Sequence, residues 1–430
     1  MLETWLELPL PLRMLLLFVA GCIAGHAVNW AAMYWRIKPL AGHPWNGCGK
    51  AGSAWWRYLP VVGWFAARPD TKTTRPLLIE FLIGSLWVLI YWWVVLERGT
   101  LPTKFAEAHL QMEQAALNGL GNPLFANWWT AIRGLHLNAL ALMLLSLPMF
   151  AATVIDWDEQ IIPDEITVPW TLLGLLGMTL FPIAALPWVQ NLLIQPPPMA
   201  YSSVDLASPL PWPMSLNGAP QIQSLLIGLA CFTIWCGGLL PRVWYGHLGF
   251  RRAYRYFWAI MLRERSYVWI VPLWILGCVG IVAVWWFGAI AWQSLLSSLL
   301  GMFVGGAIIW SVRIVGRWAL GKEAMGFGDV TLMSMIGAVT GWQAILPIFF
   351  LAPIAGIVLG MGRWIMHQDR MLPYGPFLCL STWGVWFAWA PIWTYMEPIV
   401  GITWLLPGML AACLILLGLM LLLLRAIKRG

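Results

Sequence analysis

Residues 268–290 read VWIVPLWILGCVGIVAVWWFGAI, without a single charged side chain. A helix rises about 1.5 Å per residue, so a run of this length exceeds the roughly 30 Å of hydrocarbon in a bilayer. Comparable apolar runs fall at 10–34, 76–96, 137–155, 168–190, 222–245, 293–316, 344–364, 373–394 and 402–424. A shorter one, 331–342, follows a polar turn and reads as a half-buried helix paired with 344–364. The fold class is therefore an all-α multispanning membrane bundle of about ten or eleven helices.

Composition agrees. Only 10% of the 430 residues are charged, against roughly 25% in a soluble domain, so lipid must be the solvent for most of the surface. The 33 Trp and 10 Tyr suit a chain whose amphipathic rings settle at headgroup level. The net charge of +7 lies in short segments between apolar runs and not along a stripe, which argues against a nucleic-acid partner. Six cysteines (22, 231, 236, 278, 379 and 413) sit inside apolar runs and read as packing groups, leaving Cys48 alone in a polar loop. The first apolar stretch is flanked by Glu3 and Glu7 and has no basic segment ahead of it. It reads as a retained span and not a cleaved signal.

The connecting segments orient the bundle. Segment 36–75 carries Arg36, Lys38, Lys50, Arg57, Arg68, Lys72 and Arg75 against Asp70 alone, and segment 242–267 is similarly basic. Segment 97–136 balances its charges. The positive-inside rule puts the basic segments in the cytoplasm, and alternating the spans reproduces that order if 331–342 counts as a crossing. The Pro-rich stretch 195–219 then lies outside as an extended loop.

Two acidic clusters fall on the cytoplasmic face. One is Asp156-Trp157-Asp158-Glu159, leading through Pro163 to Asp164; the other is Gly326-Phe327-Gly328-Asp329. Ionisable groups at membrane depth are costly and mark function by default. Two carboxylates held together cannot both ionise cheaply and share a proton, the electrostatic basis of aspartic protease chemistry. Gly326 and Gly328 allow the backbone approach that would aim Asp329 into the bundle. On composition alone, Asp158, Glu159 and Asp164 read equally well as acids at helix ends, or as groups that attract a basic substrate. Neither a His-Glu-x-x-His nor a Gly-x-Ser-x-Gly motif is present. His26, on an apolar helix, reads as a satisfied packing histidine.

The stretch GKEAMGFGDV, residues 321–330, resembles the second aspartate motif of the type IV prepilin peptidase family. IDWDEQIIPDEITVP, residues 155–169, resembles its first. Residues 372–377, LPYGPF, are similar to the family's Pro-aromatic-Gly-Pro-Phe turn. Gly25 to Asn29 with Tyr34, residues 59–64 and residues 75–80 are similar to its N-terminal domain. The resemblance divides the chain into an N-terminal part at 1–96, a first aspartate region at 137–190, an insertion at 191–290 and a second aspartate region at 291–430. It implies a membrane aspartyl protease with Asp156 and Asp329 as the catalytic pair and Gly326, Gly328, Pro163 and Asp164 as motif support. It further implies a multi-pass protein of the bacterial inner membrane that cuts basic leaders from type IV pilin-like or type II secretion pseudopilin precursors at the cytoplasmic face. Proteolysis of this kind needs no cofactor. Many family members also methylate the new N-terminus with S-adenosylmethionine. Here the four loop cysteines of the family's zinc framework are missing, with only Cys48 and His43 in their place, so neither zinc nor methyl transfer is expected. Thr331 stands where the family often has lysine. A non-catalytic scaffold in pilus or secretion assembly, and a transporter with intramembrane acids, are the rival readings.

Overall fold

The computed structural model describes residues 2–35, 74–103, 106–107, 125–190, 200–203, 221–240, 267–321, 325–367, 373–400 and 405–427, with residues 255, 259 and 263. In chain order the elements are α1 (Leu2–Glu7), α2 (Leu10–Tyr34), α3 (Thr74–Tyr91, closed by a π-helical turn Trp92–Leu96), α4 (Phe125–Glu159) and α5 (Asp164–Leu180). Two short strands follow, β1 (Pro187–Gln190) and β2 (Ala200–Ser203). The remaining helices are α6 (Ile222–Gly238), α7 (Tyr267–Phe287), α8 (Ala289–Leu320), α9 (Gly328–His367), α10 (Gly375–Phe387), α11 (Trp389–Val400) and α12 (Leu405–Ile427).

Among the described residues, six stretches are long and apolar enough to cross a membrane: Leu10–Tyr34, Arg75–Leu96, Thr130–Glu159, Tyr267–Phe287, Ile290–Leu320 and Gly328–Val358. This is the all-α multispanning bundle expected from the apolar runs. Between helices surrounded by lipid the hydrophobic effect gives little drive, so close backbone packing must supply it. The α8–α9 pair shows how. A methyl group at Gly301 or Gly337 would collide with the carbonyl oxygen of the other, so the two backbones touch. Residues 331–338 of α9 are consequently buried on every side.

α9 is two helices joined at Gly341, whose φ of 79° and ψ of 167° lie outside the helical region. Only glycine takes that conformation without strain. The break falls where the sequence separates 331–342 from 344–364. Three details differ from the sequence expectation. The run 168–190 is helical only to Leu180, because Pro182 and Pro187 remove backbone donors. β1 then pairs antiparallel with β2, Pro187 facing Ser203 and Gln190 facing Ala200. The hairpin is tied down by Trp389, whose indole N–H donates to Pro187 O at 2.8 Å. The run 373–394 breaks at Ala388 into α10 and α11. Pro391 lies four residues after Phe387, where its ring opposes a continuous helix.

Two packed clusters result. The larger joins α2, α3, α4, α8, α9, α10 and α11 around Met149, Ile155 and Met333. The smaller joins α6, α7 and the first half of α8, with Leu175 of α5 and Ala338 of α9, around Phe232, Trp292 and Leu296.

Candidate active site

Asp156 stands in the last turn of α4 and Asp329 is the second residue of α9. Asp156 is 5% exposed and Asp329 is 7% exposed, so neither is a surface acid. The fold brings them together. Gly375, whose amide binds Asp156, and Gly328, which precedes Asp329, pack against the same side chain, Ile162.

Each carboxylate is met by a backbone amide. Gly375 N–H donates to Asp156 Oδ2 at 3.0 Å. Gly375 opens α10, and a first-turn amide has no partner within its own helix. The positive end of the α10 dipole therefore faces Asp156. Asp329 is approached by the Gly326 amide, and a methyl at Gly326 would sit 3.6 Å from Asp329 Oδ2.

Ile162 holds these parts in register. It lies in the short connection from α4 to α5, just after Gln160, which turns the chain at φ 57°. Its side chain is 6% exposed and is wedged between two glycines. A methyl at Gly328 would meet Ile162 Cβ at 2.6 Å, and one at Gly375 would meet Ile162 Cδ1 at 2.8 Å. One isoleucine thus touches the backbone just before Asp329 and the backbone that hydrogen-bonds Asp156. Pro163 fixes the start of α5 at φ −67° and ψ 134°. Asp164 then accepts a hydrogen bond from Thr331 Oγ1 at 3.2 Å, joining α5 to α9 two residues beyond Asp329. Phe327 lies under the Arg313 guanidinium, 5.7 Å from the ring centroid.

The other sequence-derived acids stand apart from the pair. Asp158 is bound by Arg75 Nη1 at 2.8 and 2.9 Å, which clips the start of α3 to the end of α4. Glu159 is only partly buried. In the N-terminal part, His26 Nδ1 lies 2.7 Å from the fully buried Glu80 Oε1, and Asn29 donates to Pro76 O at 2.9 Å. His26 is thus a satisfied histidine. Among the described residues no three His, Cys, Asp or Glu gather as a metal site. Cys48 and His43 lie outside the described residues.

From the sequence Ile162 had no role, and Gly375 stood in the 372–377 turn without a link from its amide to Asp156. The Gly375-Pro376 pair at the head of an apolar run was the available signal, since proline favours the first helical turn.

Residues 266–361 match the family model of the Type IV leader peptidase family. The match opens inside the 191–290 segment read as an insertion. It contains Asp329 but not Asp156. Among curated proteins, the prepilin leader peptidase/N-methyltransferase of Aeromonas hydrophila is 33% identical over 108 residues, 22% of this chain and 37% of that protein. Its namesake in Xanthomonas campestris pv. campestris is 37% identical over 94 residues, 21% and 32% of the two chains. In Pseudomonas aeruginosa the namesake is 33% identical over 106 residues, 23% and 37%. The matched part spans about a third of the length of these relatives. No solved structure matches the chain. The prepilin peptidase resemblance read from the motifs is thus shared by family model and relatives alike.

Proposed function

We propose that this chain, similar over residues 266–361 to the Type IV leader peptidase family, is a membrane-embedded aspartyl peptidase. Its substrates would be pilin-like or pseudopilin precursors, cleaved at the cytoplasmic face of a bacterial inner membrane. The observation that supports this reading is the burial of Asp156 and Asp329 at one end of the bundle, where Ile162 packs against both Gly328, beside Asp329, and Gly375, whose amide binds Asp156.

In this reading Asp156, facing the amide end of α10, is the ionised member. It takes a proton from a water that attacks the scissile carbonyl carbon. Asp329, protonated, donates a hydrogen bond to the carbonyl oxygen and polarises it. The tetrahedral intermediate then collapses as a proton passes to the leaving amine. Neither a covalent intermediate nor a cofactor enters these steps. Ile162 sets the spacing of the two carboxyls. The relatives' names also carry an N-methyltransferase; the proposal is confined to peptide cleavage, with S-adenosylmethionine and zinc outside it.

Co-expression with pilin-like precursors tests the reading, scored by loss of the leader. Wild-type protein should process the precursor. Asp156→Asn and Asp329→Asn should each abolish processing while still inserting in the membrane. A processing-competent Asp329→Ala protein would end the proposal, and solute uptake by proteoliposomes would favour a transporter instead.

A further inference from the structure

At the end of the bundle opposite the aspartates, α4 begins, α5 ends and α8 begins. Between them lies a cavity of about 710 Å³. One wall carries Arg133, and another carries Gln293, Ser297 and Ser298; Leu180 and Ile290 supply apolar surface. Its floor reaches Gly341, the break in α9.

An arginine at the end of a membrane helix sits at the depth of the lipid head groups, where it meets their phosphates. Arg133 lies in the first turn of the stretch Thr130–Glu159, where its side chain is exposed at the mouth of the cavity, and among the described residues no acid forms an ion pair with it. The planar guanidinium fork matches phosphate, and hydroxyl and amide donors add to that match. The volume is that of a small-molecule pocket, far more than a lone ion fills, and the apolar wall asks for a ligand with a hydrophobic body. An arginine beside an apolar wall matches a lipid head group by this chemistry.

We propose that this cavity is a binding site for a phosphate-headed anionic amphiphile, an anionic phospholipid, with the phosphate on Arg133 and the acyl chains along Leu180 and Ile290. The site is separate from the aspartates and stands whether or not the chain is a peptidase.

The test uses the full chain in mild detergent. Binding of phosphatidylglycerol, phosphatidylcholine and inorganic phosphate is measured by native mass spectrometry and by thermal shift. Wild-type protein should retain phosphatidylglycerol in preference to phosphatidylcholine. Arg133→Ala should bind it about tenfold more weakly or worse, the loss expected for a charge-assisted hydrogen bond. Arg133→Lys, which keeps the charge but loses the fork, should fall between. Arg317→Ala, at the opposite end of α8, should bind as wild type and so control for generic charge. An unchanged melting temperature without lipid shows that each variant is folded. Millimolar inorganic phosphate that binds in an Arg133-dependent way and displaces the lipid would keep the phosphate site but make its source soluble phosphate. Folded Arg133→Ala that binds phosphatidylglycerol as wild type does, with no Arg133-dependent binding of phosphate, would overturn the proposal.

Discussion

Gly375→Ala is the sharpest probe of the aspartate pair, because the structure specifies what a single methyl would meet. The new Cβ would stand 2.7 Å from Asp156 Oδ2 and 2.8 Å from Ile162 Cδ1, where ordinary contact begins at 3.4 Å. Something must therefore move by about 0.7 Å, the difference between 3.4 and 2.7 Å. Ile162 cannot yield freely, since its Cβ is already against Gly328. The carboxylate is left to shift, and the 3.0 Å bond from Gly375 N–H lengthens with it. A hydrogen bond to a charged group contributes about 1.5–3 kcal/mol, and each 1.4 kcal/mol is about tenfold in rate. A misplacement near 1 Å costs about a hundredfold by itself. Gly375→Ala should thus lower kcat by about one to two orders of magnitude and leave KM nearly unchanged, in a cleavage assay on purified protein. Gly384→Ala, on the same helix with nothing within 4 Å of the added methyl, should keep wild-type kcat. In the double variant Ile162→Val, Gly375→Ala the contact with Ile162 is eased but that with Asp156 remains, so activity should stay low. A folded Gly375→Ala protein with kcat within about twofold of wild type would refute the assignment of that amide to the site.

Asp158→Asn should cost less than about 1 kcal/mol of stability, because exposed ion pairs such as that with Arg75 contribute little; thermal melts and a double-mutant cycle with Arg75→Ala check this. Neutralising Asp158, Glu159 and Asp164 together should raise KM more than it lowers kcat if these acids attract a basic leader, and the rise should shrink at high salt. Gly337→Val should lower the melting temperature clearly through the α8–α9 contact, while Gly280→Ala on α7, whose methyl would meet nothing within 4 Å, should not. Elemental analysis should find well below one zinc per chain, and chelators should leave stability and cleavage unchanged, because segment 36–75 offers only Cys48, His43 and Asp70 as candidate ligands.

The bundle was legible because lipid imposes a coarse rule: each crossing needs a long uncharged run, and the runs stand in the sequence. The break at Gly341 was legible too, as a gap between two apolar stretches. What the runs did not show is where a span stops for reasons of backbone chemistry. Hydropathy passes over Pro182 and Pro187 because neighbouring Leu180, Phe181 and Leu186 are apolar, yet the prolines end α5. The hairpin that follows needs Ser203 opposite Pro187 and Trp389 from far along the chain, and no local pattern announces a partner at that distance.

The site divides in the same way. Asp156 and Asp329 stood out because a carboxylate beside an uncharged run has few innocent explanations, whereas the parts that align them are apolar or have no side chain. Gly375 contributes its amide and Ile162 its volume; Gly375 stood in a recognisable turn, residues 372–377, but without a side chain to suggest chemistry, and Ile162 looks like an ordinary apolar residue. Asp158 shows the converse. As a charge in the first motif it invites a functional role, and the structure adds a contact with Arg75 at 2.8 and 2.9 Å that sequence spacing could not reveal. The conspicuous residues of such a site carry the chemistry, while its geometry is set by glycines and an isoleucine whose part emerges only from what a methyl group would strike. On that account, substitutions at Ile162 and Gly375 should lower the rate of cleavage without touching a charged group.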